Sequence, residues 1–139
     1  VIVVAAQRPD IEKFCKNVGY SASADAKGIV LVDDKVRAMV LYDHWTPNSV
    51  NVHVYSSGPK YLFHREFVCA IFSYPFQQCG KGLLIAITPS DAEQSLAVSR
   101  YLGFVEKYRV KDGWSQGVDL VIKEMTRDQC RWLNQEKAA

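Results

Sequence analysis

One stretch, Val50 to Tyr61, limits what this chain can fold into more than any other: Val-Asn-Val-His-Val-Tyr-Ser-Ser-Gly-Pro-Lys-Tyr. Its first half alternates, with Val50, Val52 and Val54 on one face and Asn51, His53 and Tyr55 on the other, the period of a strand. Ser56-Ser57-Gly58-Pro59 then breaks the pattern with turn formers, and an apolar-periodic run begins at Tyr61. Strand, small-residue loop and helix form a unit of α/β folds. The first amides of a helix lack intrahelical partners and its dipole favours an anion. Ser56, Ser57 and Gly58 would let a phosphate approach the backbone, and Lys60 adds a positive charge. The same unit also serves as a plain connection with no ligand.

The flanking sequence supplies the rest of a mixed sheet. Ile2 to Ala5 reads as a buried-type strand, and a helix opens at Pro9-Asp10, has Ile11, Phe14, Cys15 and Val18 at helical spacing and ends at Gly19. Tyr20 to Lys27 is a polar loop or one short helical turn. Gly28 to Val32 and Val36 to Tyr42 form a hairpin around Asp33-Asp34. After the central strand, a helix from Tyr61 carries Phe63, Phe67, Ala70, Ile71 and Tyr74, and Pro75 must bend or stop it, since a proline in a helix interior costs about 3 kcal/mol. Leu83 to Thr88 is a continuous apolar strand, parallel or central. Ser90-Asp91-Ala92-Glu93 reads as a capping box for a helix that ends at Gly103. Phe104 to Val110 and Val118 to Lys123 form a second hairpin turning at Lys111-Asp112-Gly113, with Val118, Leu120 and Ile122 on one face. Thr126 and Gln129 form another capping box, from which Cys130, Trp132 and Leu133 dock a last short helix. The order β-α-β-β-β-α-β-α-β-β implies a single α/β (α+β) domain over 1–139, a mixed sheet with helices on both faces.

Composition narrows the function classes. With 139 residues, 48% hydrophobic and 23% charged, the chain can bury a real core. A net charge of +2, with basic residues scattered, does not suit nucleic acid. No run reaches membrane-spanning length, and Val-Ile-Val-Val-Ala-Ala reads as a strand, not a signal peptide. Cys15, Cys69, Cys79 and Cys130 form no Cys-x-x-Cys pair, so reduced thiols in a cytoplasmic protein are expected and no metal site is.

Leu83-Leu84-Ile85-Ala86-Ile87, the helix bearing Ser95, and Tyr101-Leu102-Gly103-Phe104 followed by a hairpin resemble the GCN5-related N-acetyltransferase superfamily. The resemblance spans nearly the whole chain in element order. It is nearest to small phage-encoded members of the ribosomal-protein-acetylating branch, where a Trp-Thr-Pro-Asn-Ser run like Trp45 to Ser49 precedes a strand with a central histidine. It implies a mostly antiparallel twisted sheet and acetyl transfer from acetyl-CoA to an amine, on a small molecule or a protein. It implies that His53, Val54 and Tyr55 border the pantetheine arm, that Ser56, Ser57, Gly58, Pro59, Lys60 and Tyr61 cradle the pyrophosphate, and that Ser95 binds cofactor. The chemistry resembled is attack by a deprotonated amine, with a base for its proton and an acid for the thiolate.

Three positions depart from the family. Its Gln/Arg-x-x-Gly-x-Gly/Ala loop is shortened to Ser-Ser-Gly-Pro-Lys-Tyr, and Pro59 removes an amide; Gln78-Cys79-Gly80-Lys81-Gly82 only mimics the motif, because it follows the helix. Ser99 stands where the family has a tyrosine acid, and Ala92 where the branch has an asparagine. The central strand has no carboxylate, which leaves His53 as candidate base and Ser99 as candidate proton relay. Asp43, His44 and Trp45 before the strand and Trp114 in the last hairpin are candidate acceptor contacts through charge pairing and cation–π attraction. A core Trp45, a structural strand histidine and a partner-binding Trp114 are the plain alternatives. At the level of the whole protein the alternative is an inert acetyltransferase fold serving as a virion or interaction component, free or as a homo-oligomer, in host cytoplasm or virion.

Overall fold

The computed structural model describes residues 1–133. Seven strands form one sheet: β1 (Ile2–Ala5), β2 (Lys27–Asp33), β3 (Lys35–Asp43), β4 (Ser49–Ser56), β5 (Leu83–Pro89), β6 (Val105–Ser115) and β7 (Val118–Thr126), in spatial order β1-β2-β3-β4-β5-β7-β6. Every neighbouring pair is antiparallel except β4 and β5, which are parallel. The mixed, mostly antiparallel sheet and the order of elements are those expected from the sequence.

Two apolar layers hold the helices. On one face, Ile11 and Phe14 of α1 (Arg8–Val18) pack on Val30, Met39 and Leu41. On the other, α3 (Arg65–Ser73) buries Phe67, Val68, Ile71 and Phe72 against Leu31, Val40, Tyr42, Val50, Val52 and Leu84. Each fully buried side chain of this size contributes about 1.5–3 kcal/mol. The helix α4 (Glu93–Leu102) lies on the α3 face and is pinned at its end by Trp132, whose indole Nε1–H donates to the Leu102 carbonyl at 2.8 Å while its ring stacks on Phe72. Gly103 ends α4 at φ 110°, a conformation that strains any L side chain. The Thr126–Gln129 capping box forms, with the Thr126 amide donating to Gln129 Oε1 at 2.9 Å. Cys130, Trp132 and Leu133 are buried as expected; the remainder of the segment where a last helix was expected lies outside the described residues.

Four local expectations are corrected, and the bend expected at Pro75 is present. Strand β1 is largely exposed, because it is a sheet edge and α1 crosses back over β2 and β3 instead. The helix expected from Tyr61 is two pieces, α2 (Pro59–Leu62) and α3, separated by an extended His64. The break lets Phe63 turn out to meet Tyr101 of α4 edge-on at 5.0 Å while Phe67 goes into the core; one continuous helix would put both on a single face. Beyond Ser73 the chain widens into a π turn, Tyr74–Gln78, in which the Cys79 amide donates to the Tyr74 carbonyl; this is how Pro75, without an N–H, is accommodated. The Ser90–Glu93 capping box does not form: Ser90 Oγ accepts the Asp119 amide at 2.8 Å, prolonging the β5–β7 pairing, and the N-cap of α4 is Ala92 without a side-chain bond. The last hairpin turns at Gln116-Gly117, since Asp112, at φ 55°, makes an irregularity in β6 and its carboxylate accepts the Gly117 amide at 2.9 Å.

Candidate functional site

The parallel pair at the centre of the sheet is joined only where it begins. Ser49, Val50 and Asn51 pair with Leu83, Leu84 and Ile85, and no further pairing is present. Asn48 clamps that end: its carbonyl and its Oδ1 both accept the Gly82 amide at 3.1 Å, so close that a Cβ on Gly82 would sit 2.7 Å from Oδ1. Beyond it β4 stays with β3 as far as Ser56, and β5 stays with β7 as far as Pro89. The two halves of the sheet diverge and leave a cleft of about 550 Å³ between them. Its walls are the later residues of β4 and β5, the loop Ser56–Pro59, Leu62 and Phe63 of α2, and Gln94, Ser95, Val98 and Ser99 of α4. From Val52 onward the β4 edge that faces β5 has no strand partner. Such an edge suits an extended chain that carries amides.

On the α1 face a buried acid lies behind His53, which lines the cleft. Asp43, at the end of β3, is 0% exposed. Its Oδ1 lies 3.0 Å from His53 Nε2, and its Oδ2 accepts the Tyr20 hydroxyl at 2.5 Å. Burial alone would raise the Asp43 carboxyl; the hydrogen bonds from His53 and Tyr20, with the nearby imidazoles of His53 and His44, outweigh it and hold the carboxyl below its ordinary value. Burial first, and then Asp43, push the Tyr20 phenol far above its own. An ionised carboxylate only accepts, so His53 presents Nε2–H to Asp43 and keeps its lone pair on Nδ1. The Tyr20 ring lies 4.4 Å from the imidazole and fixes its tilt. Asp43, expected as an acceptor contact, is therefore the group that orients His53.

On the α4 face the cleft meets a buried base. Lys123 of β7 is 4% exposed and lines the cleft. Its Nζ donates to Thr88 Oγ1 at 2.6 Å and to Ser99 Oγ at 2.7 Å, and Ser99 in turn donates to the Leu96 carbonyl. Burial lowers the ammonium's pKa to about 8, opposed only weakly by the charge of Glu106. Sequence reading missed Tyr20 and Lys123. The signal for Lys123 was its place between Val121 and Met125, the fully buried face of β7; the face of Val118, Leu120 and Ile122 is only half-buried.

The cleft gathers most of the other candidates. His53, Val54, Tyr55, Ser56, Ser57, Gly58, Ser95 and Ser99 all line it. Lys60 and Tyr61 lie just beyond, with the Lys60 ammonium 4.9 Å from the Tyr61 ring. The loop's amides are largely engaged. Ser57 N–H donates to the Arg37 carbonyl, Gly58 N–H to Ser56 Oγ and Tyr61 N–H to the Gly58 carbonyl, while Pro59 has none. The residues thus fit the amide-bearing arm of a CoA thioester and offer its pyrophosphate little backbone. Trp45 packs on Tyr42 and Tyr74 on the α3 face, with its Nε1 buried and unpartnered among the described residues. His44 is exposed beside Asp43, and Trp114 is exposed on the outer strand β6; none of Trp45, His44 and Trp114 lines the cleft. Among the described residues there is no cluster of metal-ligating side chains, all four cysteines are free, and no helix is long and apolar enough to cross a membrane.

No protein-family model matches the chain, and no curated protein sequence matches it. Solved structures do. The dodecameric spermidine N-acetyltransferase from Vibrio cholerae, in an intermediate state, superposes with a TM-score of 0.73 at 12% identity, covering 96% of this chain and 96% of that one. The same enzyme in complex with manganese ions gives a TM-score of 0.69 at 12% identity over 96% of this chain and 95% of that one. A variant of it gives 0.72 at 15% identity over 98% and 99%. At this identity the likeness is one of fold, and it runs the length of both chains: the polypeptide has the fold of these spermidine N-acetyltransferases.

Proposed function

We propose that the protein is an acetyl-CoA-dependent N-acetyltransferase acting on an amine. The observation that carries this reading is the splayed β4–β5 pair, whose unpaired β4 edge runs beside a histidine held by a buried carboxylate. Acetyl-CoA would supply the acetyl group as an activated thioester. The free edge from Val52 to Tyr55 holds the pantetheine arm, and a β4 amide polarises the thioester carbonyl. Gln94 and Ser95, in the first turn of α4 that no side chain caps, face the same cleft. His53 takes the amine proton through Nδ1, and Asp43 stabilises the imidazolium that forms.

The acceptor is a different matter. The neighbouring enzymes are spermidine N-acetyltransferases, and spermidine is a polycation. No residue lining this cleft is acidic, and Lys123 is cationic, so the lining favours an acceptor with a single amine over a polyamine. The likeness to the phage-encoded, ribosomal-protein-acetylating branch rests on Trp45 to Ser49 and His53, and supports an amine presented by a protein. The engaged loop amides favour the inert alternative. Against it, Lys123 is buried beside the cleft without a counter-ion among the described residues, a cost in stability that a purely structural fold has no use for.

Calorimetry with acetyl-CoA separates the two. Wild-type protein binds, and Gly58→Glu abolishes binding with an unchanged circular dichroism spectrum. A Cβ at Gly58 meets only the Tyr61 ring, at 3.8 Å, so the fold tolerates it while a carboxylate enters the cleft mouth. No heat at millimolar acetyl-CoA would reject the enzyme reading.

A further inference from the structure

We propose that Lys123 is the proton donor to the leaving thiolate, occupying the role that Ser99 alone cannot fill. The proposal rests on the acetyl-transfer reading above and deepens it. A serine hydroxyl is too weak an acid to protonate a thiolate directly. Ser99 is also committed, since its own proton goes to the Leu96 carbonyl and its oxygen accepts from Lys123. The ammonium behind it has three protons and two partners, both hydroxyls. The third has no acceptor among the described residues, and the side chain lines the cleft.

The charged groups around Lys123 do not neutralise it. Glu106, opposite it on β6, is the nearest acid, and its carboxylate is taken by Arg109, at 3.0 Å. From α4, Arg100 contributes only positive charge to the same neighbourhood. On β5 the cross-strand partner is Ala86 and the hydrogen-bond partner Thr88, both uncharged. No carboxylate among the described residues lies within ion-pair distance of Nζ. A buried ammonium held by hydroxyls gives up a proton far more readily than one in a salt bridge. With a pKa of about 8 it is protonated at neutral pH and matched to a thiol.

The step balances. The amine nitrogen forms a bond to the acetyl carbon, the carbon–sulfur bond breaks, and its electron pair stays on sulfur. Sulfur takes the Nζ proton as His53 takes the proton of the amine nitrogen. The products are the amide and CoA thiol, with Lys123 neutral and His53 charged until solvent returns and removes one proton. Donor and acceptor stand on opposite faces of the sheet, at the two sides of one cleft, so the two transfers do not compete.

The test needs no acceptor. Coenzyme A and desulfo-coenzyme A are titrated calorimetrically into wild type and Lys123→Met at pH 8, with circular dichroism to confirm folding. The expected result is tenfold or greater preference of wild type for coenzyme A, lost in Lys123→Met because coenzyme A binds more weakly and desulfo-coenzyme A unchanged. In the wild type, which needs no variant to fold, the Lys123 side-chain NMR titration moves up in pH when coenzyme A binds and stays still with the desulfo analogue. If both ligands bind wild type and variant alike, or the Lys123 titration ignores the thiol, the lysine has no such role although the cleft still binds coenzyme A. If neither ligand nor acetyl-CoA binds wild type, the acetyl-transfer reading fails and carries this proposal with it.

Discussion

Asp43 on the α1 face and Lys123 on the α4 face are both buried and both charged in their ordinary state; Lys123 lines the cleft, and Asp43 lies behind His53, which lines it. They are compensated in opposite ways. Asp43 is met by an imidazole and a phenol, which hold its charge in place. Lys123 is met only by the hydroxyls of Thr88 and Ser99, and burial pushes it toward neutrality. The same loss of water therefore leaves one group a fixed anion and the other a labile acid. What decides between them is the partner: groups that stabilise the charged form keep it, while neutral hydroxyls recover only part of the desolvation cost. On the acetyl-transfer reading we propose, one face would hold a base in orientation and the other would release a proton.

The largest effect that would break this contrast is on turnover. Replacing His53 with Gln should lower acetyl transfer by about 10²- to 10³-fold, the usual worth of a positioned general base. It should leave acetyl-CoA affinity unchanged, as read by thiol release across an amine panel together with calorimetry. An unaltered rate would make the Asp43–His53 pair structural.

Next is stability. Asp43→Asn removes the anion that Tyr20 and His53 are arranged around, and urea denaturation should show a loss of about 2–3 kcal/mol at pH 7. The sign with pH follows from the depressed carboxyl. The stabilisation is complete above the unfolded carboxyl's value of about 4 and disappears as pH falls through the lower folded one. The variant should lack that acid limb, and an identical limb in both proteins would assign acid unfolding elsewhere.

Lys123→Met should move stability the other way. Between the folded value of about 8 and the ordinary 10.5 the unfolded chain binds more protons, so wild-type stability rises with pH across that window. The methionine variant should be more stable than wild type by about 1 kcal/mol at pH 7, with the difference shrinking toward pH 10.5. A variant less stable at pH 7 would mean that the hydroxyl bonds outweigh the desolvation. The smallest effect is expected at Trp114, which is 52% exposed on β6. Trp114→Ala should change stability by less than about 0.5 kcal/mol. If the ring contacts the acceptor, it raises KM for the amine several-fold with acetyl-CoA affinity intact; a change of assembly mass by light scattering would make it an interface residue instead.

Element order, the faces of β4 and several helix ends were legible in the sequence, because each depends on residues a few positions apart. The alternation of Val50 to Tyr55, Gly19 and Gly103 as helix stops and the Thr126–Gln129 box are all local in this sense. Local reading failed where two demands competed for one residue. Ser90 has the spacing of a helix cap but is used by β7, and Phe63 has the spacing of the helix stripe but is drawn to Tyr101. The cleft was legible as a loop and a helix start, and its engaged amides were not, since the Ser57 amide is taken by Arg37 from a different strand.

The chemistry was decided almost entirely by tertiary structure. Asp43 and Tyr20 stand 23 residues apart and Lys123 and Thr88 stand 35 apart, and no local period connects them. The sequence alone determined that His53 and Ser99 sit on a central strand and a neighbouring helix. Only the folded sheet, by pairing β3 with β4 and β5 with β7 and leaving β4 and β5 apart, put a carboxylate behind the histidine and an ammonium behind the serine. A side chain's charge state depends on what is packed against it, and that is set by strand register across the whole chain.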